Sequence, residues 1–164
     1  MADAELPPEL LDALRQLEQH IGRSLTDAHD GHARWELYRA ALVSDAARPA
    51  LLAAVTAEPD GALASGVVGE VLERVTRGER DAWVQALAPA VRAFSERRAR
   101  ELGVLEDLRS GAIALDRAPE LIDGWSDWLQ SRIVADVSDE AVLRVLAASG
   151  RTKRIRRTAA EALG

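Results

Sequence analysis

The sequence predicts an all-α fold, and three observations support this class. Ala, Leu and Val make up most of a hydrophobic fraction of 48%, whereas aromatic residues are only 4% of the chain. Ala and Leu are strong helix formers because they lose little side-chain freedom in a helix. Apolar residues recur at spacings of three and four, as on one face of a helix. The length of 164 residues predicts a single domain over residues 1–164.

The first half of the chain predicts five helices. Pro7 and Pro8 open the first, because a proline in the first turn loses no intrahelical hydrogen bond, and Gly22 ends it. A polar loop over residues 23–31 follows. The next helices are predicted to start at or near Asp30, Ser44 or Asp45, Asp60 and Glu79. The second of the five is expected to place Val43 on its inner face.

The second half predicts a long helix from Pro89 to about Arg109, with Phe94 facing inward. An irregular link over residues 110–119 separates it from the last helices. Those helices are predicted at about 120–135, 139–149 and 152–163. The whole chain thus has about eight to nine helices.

The two ends of the chain resemble each other. Trp35 aligns with Trp125 at an offset of 90 residues, and Leu52 aligns with Leu143 at an offset of 91. Trp83 lies 48 residues after Trp35 and 42 before Trp125. This spacing is close to the period of about 40–47 residues of HEAT and armadillo units. We therefore expect the three tryptophans to occupy equivalent positions in stacked layers.

Residues 138–163, SDEAVLRVLAASGRTKRIRRTAAEAL, resemble a HEAT repeat. An acidic helix start, inner Leu and Val residues, a short turn and a basic, Ala-rich second helix carry the resemblance. It implies a short right-handed α-solenoid of HEAT/armadillo-like helix pairs, which generally serve as scaffolds and interaction modules. The middle third departs from this pattern, because the helix at 89–109 is too long for a repeat unit and the link over residues 110–119 is extra.

A basic cluster near the carboxyl end is the first candidate binding site. Residues 151–164 contain five cations and only Glu161 as an acid, a net charge of +4, which leaves −10 for residues 1–150. Cations in the first turns of a helix oppose its dipole, so a partner is a reason to have them there. An acidic or phosphate-bearing partner would suit them, and pairing with acids of the preceding helix is the alternative. The cluster consists of Arg151, Lys153, Arg154, Arg156 and Arg157.

Trp125 and Trp128 are the second candidate. Three residues apart on one predicted helix, they would share a face and form an aromatic surface for a partner or for stacked bases. The alternative is that both tryptophans belong to the core.

No catalytic motif, metal site or cofactor site is predicted. The chain has no cysteine, which excludes disulfides and thiolate chemistry. His29, Asp30 and His32 are the only clustered metal-ligand types, and they read more simply as a polar loop before a helix. The sequence predicts no buried carboxylate, which general acid catalysis would need.

The location is predicted to be cytoplasmic. No apolar run is long enough to span a membrane. Met1–Pro8 is acidic and lacks the features of a signal peptide. Lys153 is the only lysine among 21 basic residues, and this bias with the high Ala content indicates a GC-rich bacterial genome.

The leading functional hypothesis is a non-enzymatic protein-interaction module, a scaffold or adaptor. Leu163 stands one residue from the end of the chain and caps the last helix weakly, so we expect a protein partner, a second copy or further sequence to cover it. The alternative is a nucleic-acid-binding protein related to the HEAT-like DNA glycosylases. A helical enzyme or metal protein is a third possibility.

Overall fold

The structure is a computed structural model that describes residues 4–164. Within this range it contains ten α-helices and no strand, so the all-α prediction is confirmed. The helices form two compact units, Met1–Ala99 and Arg100–Gly164. The first three residues of the acidic segment Met1–Pro8, on which the signal-peptide prediction rests, lie outside the described residues.

The first unit contains five complete helices and the beginning of a sixth. Asp30 and Asp60 cap the second and fourth, because their carboxylates accept hydrogen bonds from first-turn backbone N–H groups. Gly22 ends the first helix in the left-handed region, with φ of 71°. The helices are α1 (Pro8–Ile21), α2 (Gly31–Ala41), α3 (Arg48–Ala57), α4 (Gly61–Val71), α5 (Arg80–Ala86) and α6 (Ala93–Ser110).

The core of the first unit starts from the apolar stripe of α1. Leu10, Leu14 and Leu17 recur at helical spacing and are at most 2% exposed. This stripe packs against α2 and α3, while α4 contacts α2, α3 and α5. Tyr38 of α2 is the largest side chain that is fully buried here.

The second unit begins within α6 and contains four further helices. These are α7 (Ala118–Leu121), α8 (Asp127–Asp136), α9 (Glu140–Ser149) and α10 (Lys153–Ala162). Helix α9 packs against both α8 and α10. Ile133, Val142, Leu146 and Ala159 are fully buried and join the three helices in one core. Burying these side chains away from water is the main force that holds the unit together.

The predicted helix over 120–135 is wrong, because the structure divides it. Helix α7 ends at Leu121, a 3-10 turn covers Ile122–Gly124, and α8 starts only at Asp127. The Ser126 hydroxyl accepts a hydrogen bond from the Leu129 N–H and so fixes this start. The extra helix raises the number from the expected eight or nine to ten within residues 4–164.

Two residues predicted to face inward are exposed. Val43 lies in the turn after α2 and is 81% exposed, since α2 ends at Ala41 before its inner face reaches that position. Phe94 is 49% exposed. The predicted helix start at Pro89 is wrong, because Pro89–Val91 forms a separate 3-10 turn and α6 begins at Ala93, so that Phe94 stands in the first turn of α6.

Candidate partner-binding groove

Helices α8 and α10 run in the same direction, because their starts are joined and both line one groove from there onward, to Val134 on α8 and to Thr158 on α10. Links of three residues separate each of them from α9. The Arg151 Nε donates a hydrogen bond of 2.7 Å to the Asp127 carboxylate at the first position of α8. Both helices are capped at this end, by Ser126 and by Thr152. The two positive ends of the helix dipoles therefore lie side by side.

A groove of about 510 Å³ runs between these two helices. Its apolar part is formed by Trp128, Val134 and Ile155, of which Ile155 is buried in the core of the unit. Two charged residues, Asp127 and Arg154, also line the groove. Three hydroxyl residues complete the lining, Ser131, Thr152 and Thr158. The structure thus brings two of the predicted partner-binding residues, Trp128 and Arg154, to one surface.

Three of the five predicted cations have partners within their own unit. Arg151 pairs with Asp127, as above, and the Arg157 Nε lies 3.7 Å from a Glu161 carboxylate oxygen. Arg156 donates a hydrogen bond of 2.5 Å to the Gly150 carbonyl. These contacts agree in kind with the intramolecular alternative, although Asp127 belongs to α8 and not to the preceding helix.

Lys153 and Arg154 remain exposed, and neither has an ion-pair partner within residues 4–164. They are the first and second residues of α10, where the helix dipole is positive. Arg154 consequently brings an uncompensated positive charge to the end of the groove that holds both helix starts, and Lys153 precedes it just outside the lining.

The two tryptophans of the predicted aromatic surface do not share a helix face. Trp125 precedes α8, in extended backbone after the 3-10 turn, and it is 4% exposed within the core. Trp128 is partly buried, and the Arg132 guanidinium lies 5.2 Å from the centre of its ring. Only Trp128 reaches the groove, so the core alternative describes Trp125.

The first unit contains a buried ionic network that the sequence did not predict. Arg34 Nε and Nη2 donate hydrogen bonds of 2.9 and 2.8 Å to the two carboxylate oxygens of Glu58. The Tyr38 hydroxyl donates a third, of 2.7 Å, to the same carboxylate. The side chain of Arg34 is 5% exposed and that of Glu58 is 0% exposed. In the sequence, Arg34 and Glu58 are only an arginine and a carboxylate separated by a predicted helix. This pattern is common in any charged sequence, so it did not indicate a buried pair.

This network shifts the protonation of its members. The hydrogen bond with Glu58 raises the pKa of Arg34, so the guanidinium stays charged. Burial raises the pKa of Tyr38, and the hydrogen bond to Glu58 raises it further. Arg34 also donates to the Ala28 carbonyl at 2.7 Å, and the Asp60 N–H donates to Glu58 at 3.1 Å. The arrangement ties the loop before α2 to the junction of α3 and α4 and has no reactive group free.

A neutral counterpart lies in the second unit. Gln130 is fully buried, and its Nε2 donates to the carbonyls of Ile122 and Trp125 at 3.1 and 3.2 Å. Its Oε1 accepts a hydrogen bond of 2.9 Å from the Arg151 N–H. Gln130 is the fourth residue of α8, as Arg34 is the fourth residue of α2. Each side chain links the segment before its helix to the junction of the next two helices.

The helix starts of the two units follow a common spacing. Arg34 corresponds to Gln130 at an offset of 96, and α3 and α4 correspond to α9 and α10 at an offset of 92. At this offset the buried Leu51 and Ala54 match the buried Leu143 and Leu146. The predicted offset of 90 pairs Trp35, which lies within α2, with Trp125, which precedes α8.

The polar residues near α2 have local roles. The backbone N–H of His32 donates to Asp30, and that of His29 donates to Asp27. In the part of the chain that the structure describes, no group of three or more His, Asp or Glu residues is placed to hold a metal ion. Among the helices of residues 4–164, none has the length and apolar character needed to cross a bilayer.

No family model matches the chain, and neither a curated protein nor a solved structure matches it. The fold and the site define the class as an all-helical protein with a groove lined by apolar, hydroxyl and charged side chains.

Proposed function

We propose that the protein is a non-enzymatic interaction module that binds an acidic protein partner in the α8–α10 groove. The observation that carries this proposal is the position of Arg154 beside Trp128, with Lys153 and Arg154 uncompensated within residues 4–164. An aromatic or aliphatic anchor surrounded by charges is a common arrangement at protein interfaces. The proposed partner places carboxylates against the cations and apolar side chains against Trp128, Val134 and Ile155.

We further propose that the helix triplets α2–α4 and α8–α10 are units of a short HEAT-like solenoid. Equal helix order, matching burial at the offset of 92 and the corresponding positions of Arg34 and Gln130 support this arrangement. A face formed by repeated helices is typical of proteins that bind other proteins. The solenoid is the scaffold, and the groove of the last triplet is the proposed binding surface.

Selection of random displayed peptides on the immobilised protein tests this function. We expect the enriched peptides to be acidic and to contain apolar residues. Their binding should fall about tenfold or more for the double variant Lys153→Glu with Arg154→Glu, and several-fold for Trp128→Ala. Arg144→Glu is the matched control, because Arg144 is also exposed but lies on α9 and does not line the groove.

Peptides that bind the double variant as well as the wild type would contradict the proposal. A titration with single-stranded and duplex DNA at several salt concentrations belongs to the same experiment. If DNA bound with a steep salt dependence and no peptide was enriched, the nucleic-acid alternative would replace this proposal. Sedimentation of the protein alone at several concentrations shows whether a second copy competes for the groove.

A further inference from the structure

The groove also has the shape and polarity to select the form of its partner. We infer that it binds a single amphipathic helix, oriented antiparallel to α8 and α10, with carboxylates in its last turns. This inference rests on the proposed function and adds the conformation and direction of the bound segment.

The shape of the channel between α8 and α10 fits a third helix. Helices α8 and α10 have ten residues each and leave an open channel between them. A helix of ten residues is about 15 Å long, so the channel extends over about three turns. Side-chain ridges of a third helix fit between two neighbouring helices, with anchors at i, i+3 or i+4 and i+7.

The side chains that line the channel favour a helix with an apolar face. Trp128 and Val134 on α8 and Ile155 on α10 supply apolar surface along the channel, and the hydroxyl side chains of Ser131 and Thr158 stand among them. The Thr158 hydroxyl already donates a hydrogen bond of 2.9 Å to the Arg154 carbonyl, so it does not need a polar partner from the ligand. A row of aliphatic side chains on one helical face therefore suits the channel better than an extended segment, whose free backbone N–H and C=O groups would lie against apolar surface.

The charges at the two ends of the channel determine the orientation of the bound helix. The first turns of α8 and α10 meet at the end that also holds Lys153 and Arg154, so that end is positive from both dipoles and side chains. A bound helix presents a partial negative charge at its own carboxyl end. The antiparallel orientation places this end, and any carboxylates of its last turns, against the positive end of the groove. The parallel orientation would bring like charges together.

Two synthetic peptides of about 14 residues and identical composition test the inference, since this length gives about four helical turns. Both carry Leu at i, i+4, i+7 and i+11, and their four Glu residues are in the last turns of one and in the first turns of the other. We expect the peptide with carboxyl-terminal Glu residues to bind at least about fivefold more tightly at low salt, and the difference to shrink as salt screens the charges. Its circular dichroism should become more helical on binding.

Several results would overturn the inference. Equal or tighter binding of the peptide with amino-terminal Glu residues would contradict the orientation, and binding without a gain of helix would contradict the conformation. Failure of both peptides to bind would reject the bound helix, while the displayed-peptide selection above would still decide whether the groove binds acidic partners. The fivefold preference should shrink with Lys153→Gln and Arg154→Gln, which leave only the helix dipoles, and persist with Arg144→Gln, all at exposed positions.

Discussion

In the first unit a charged side chain, Arg34, ties α2 to the junction of α3 and α4, whereas in the second unit a neutral amide, Gln130, ties α8 to the junction of α9 and α10. Both occupy the fourth position of their helix and both bond to the segment that precedes it. The residue at the helix junction differs accordingly. It is Glu58 in the first unit and Gly150 in the second, at the offset of 92.

The comparison shows that a helix start can be linked to the junction of the next two helices either by a buried ion pair or by a neutral amide. A buried ion pair loses the hydration of two charges and is stable only while both partners are present. The amide arrangement buries no charge, and its loss leaves only neutral groups without partners. The first unit should therefore be the more sensitive to replacement of its linking side chain.

The largest effect is expected for Arg34→Met. Removal of the guanidinium leaves the buried Glu58 carboxylate without a cation, and this should destabilise the first unit by about 3–5 kcal/mol. Hydrogen exchange measured peptide by peptide should show faster exchange in Met1–Ala99 and little change in Arg100–Gly164. Adding Glu58→Leu should restore part of the stability. Equal acceleration in both units would show that the network does not act locally.

Gln130→Leu should have the next largest effect, about 2–3 kcal/mol, since the Arg151 N–H and two carbonyls lose their partner in a buried setting. Exchange should accelerate in α8–α10. Gln130→Glu is the informative companion, because its carboxylate can still accept from Arg151 but cannot donate to the two carbonyls. A loss for Gln130→Leu as large as that for Arg34→Met would remove the distinction between the ionic and neutral links.

Gly150→Ala should destabilise the second unit by about 1–2 kcal/mol through overpacking. An added Cβ would lie 2.6 Å from the Leu146 carbonyl oxygen and 2.8 Å from Ile155 Cγ2. Gly124→Ala in the same unit is the control, because nothing lies within 4 Å of its added Cβ. Urea unfolding monitors both variants. An unchanged midpoint for Gly150→Ala would mean that the junction adjusts and that glycine there is not required.

The smallest expected effect is a dependence of stability on pH. Only the network of Arg34, Tyr38 and Glu58 should show it, because Gln130 does not titrate. The raised pKa of Tyr38 means that the unfolded chain ionises its tyrosine first, at about pH 10. The stability from this group is complete below that pH and is lost as the pH rises through the higher folded pKa. The chain has one tyrosine, no cysteine and only Lys153 as a lysine, so few other groups titrate there.

Tyr38→Phe tests this dependence. The variant should lose about 1 kcal/mol at neutral pH, from the hydrogen bond to Glu58. Urea unfolding between pH 8 and pH 11 should show a decline above about pH 10 for the wild type and a weaker one for Tyr38→Phe. Parallel declines in both proteins would assign the effect to other groups.

Local features of the sequence were sufficient to predict most helices. Apolar residues at spacings of three and four determined the stripe of α1, and cap residues such as Asp30 and Asp60 determined helix starts, because both act within a few residues of the chain. The basic cluster of α10 was also readable from the sequence. Its division into paired and uncompensated cations was not, because Arg151 finds Asp127 on another helix.

The tripeptide Val-Ser-Asp at 43–45 and 137–139 marks the limit of such inference. In the first copy Ser44 caps a 3-10 turn and Val43 is 81% exposed, whereas in the second Asp139 caps α9 and Val137 is 7% exposed within the core. The sequence by itself determined helical character, the starts of capped helices such as α2 and α4, and the position of charge, which depend on neighbours along the chain. Only the tertiary structure decided which valine is buried, how Arg34 meets Glu58 and that Trp128 and Arg154 line one groove, because these arrangements join residues from separate helices.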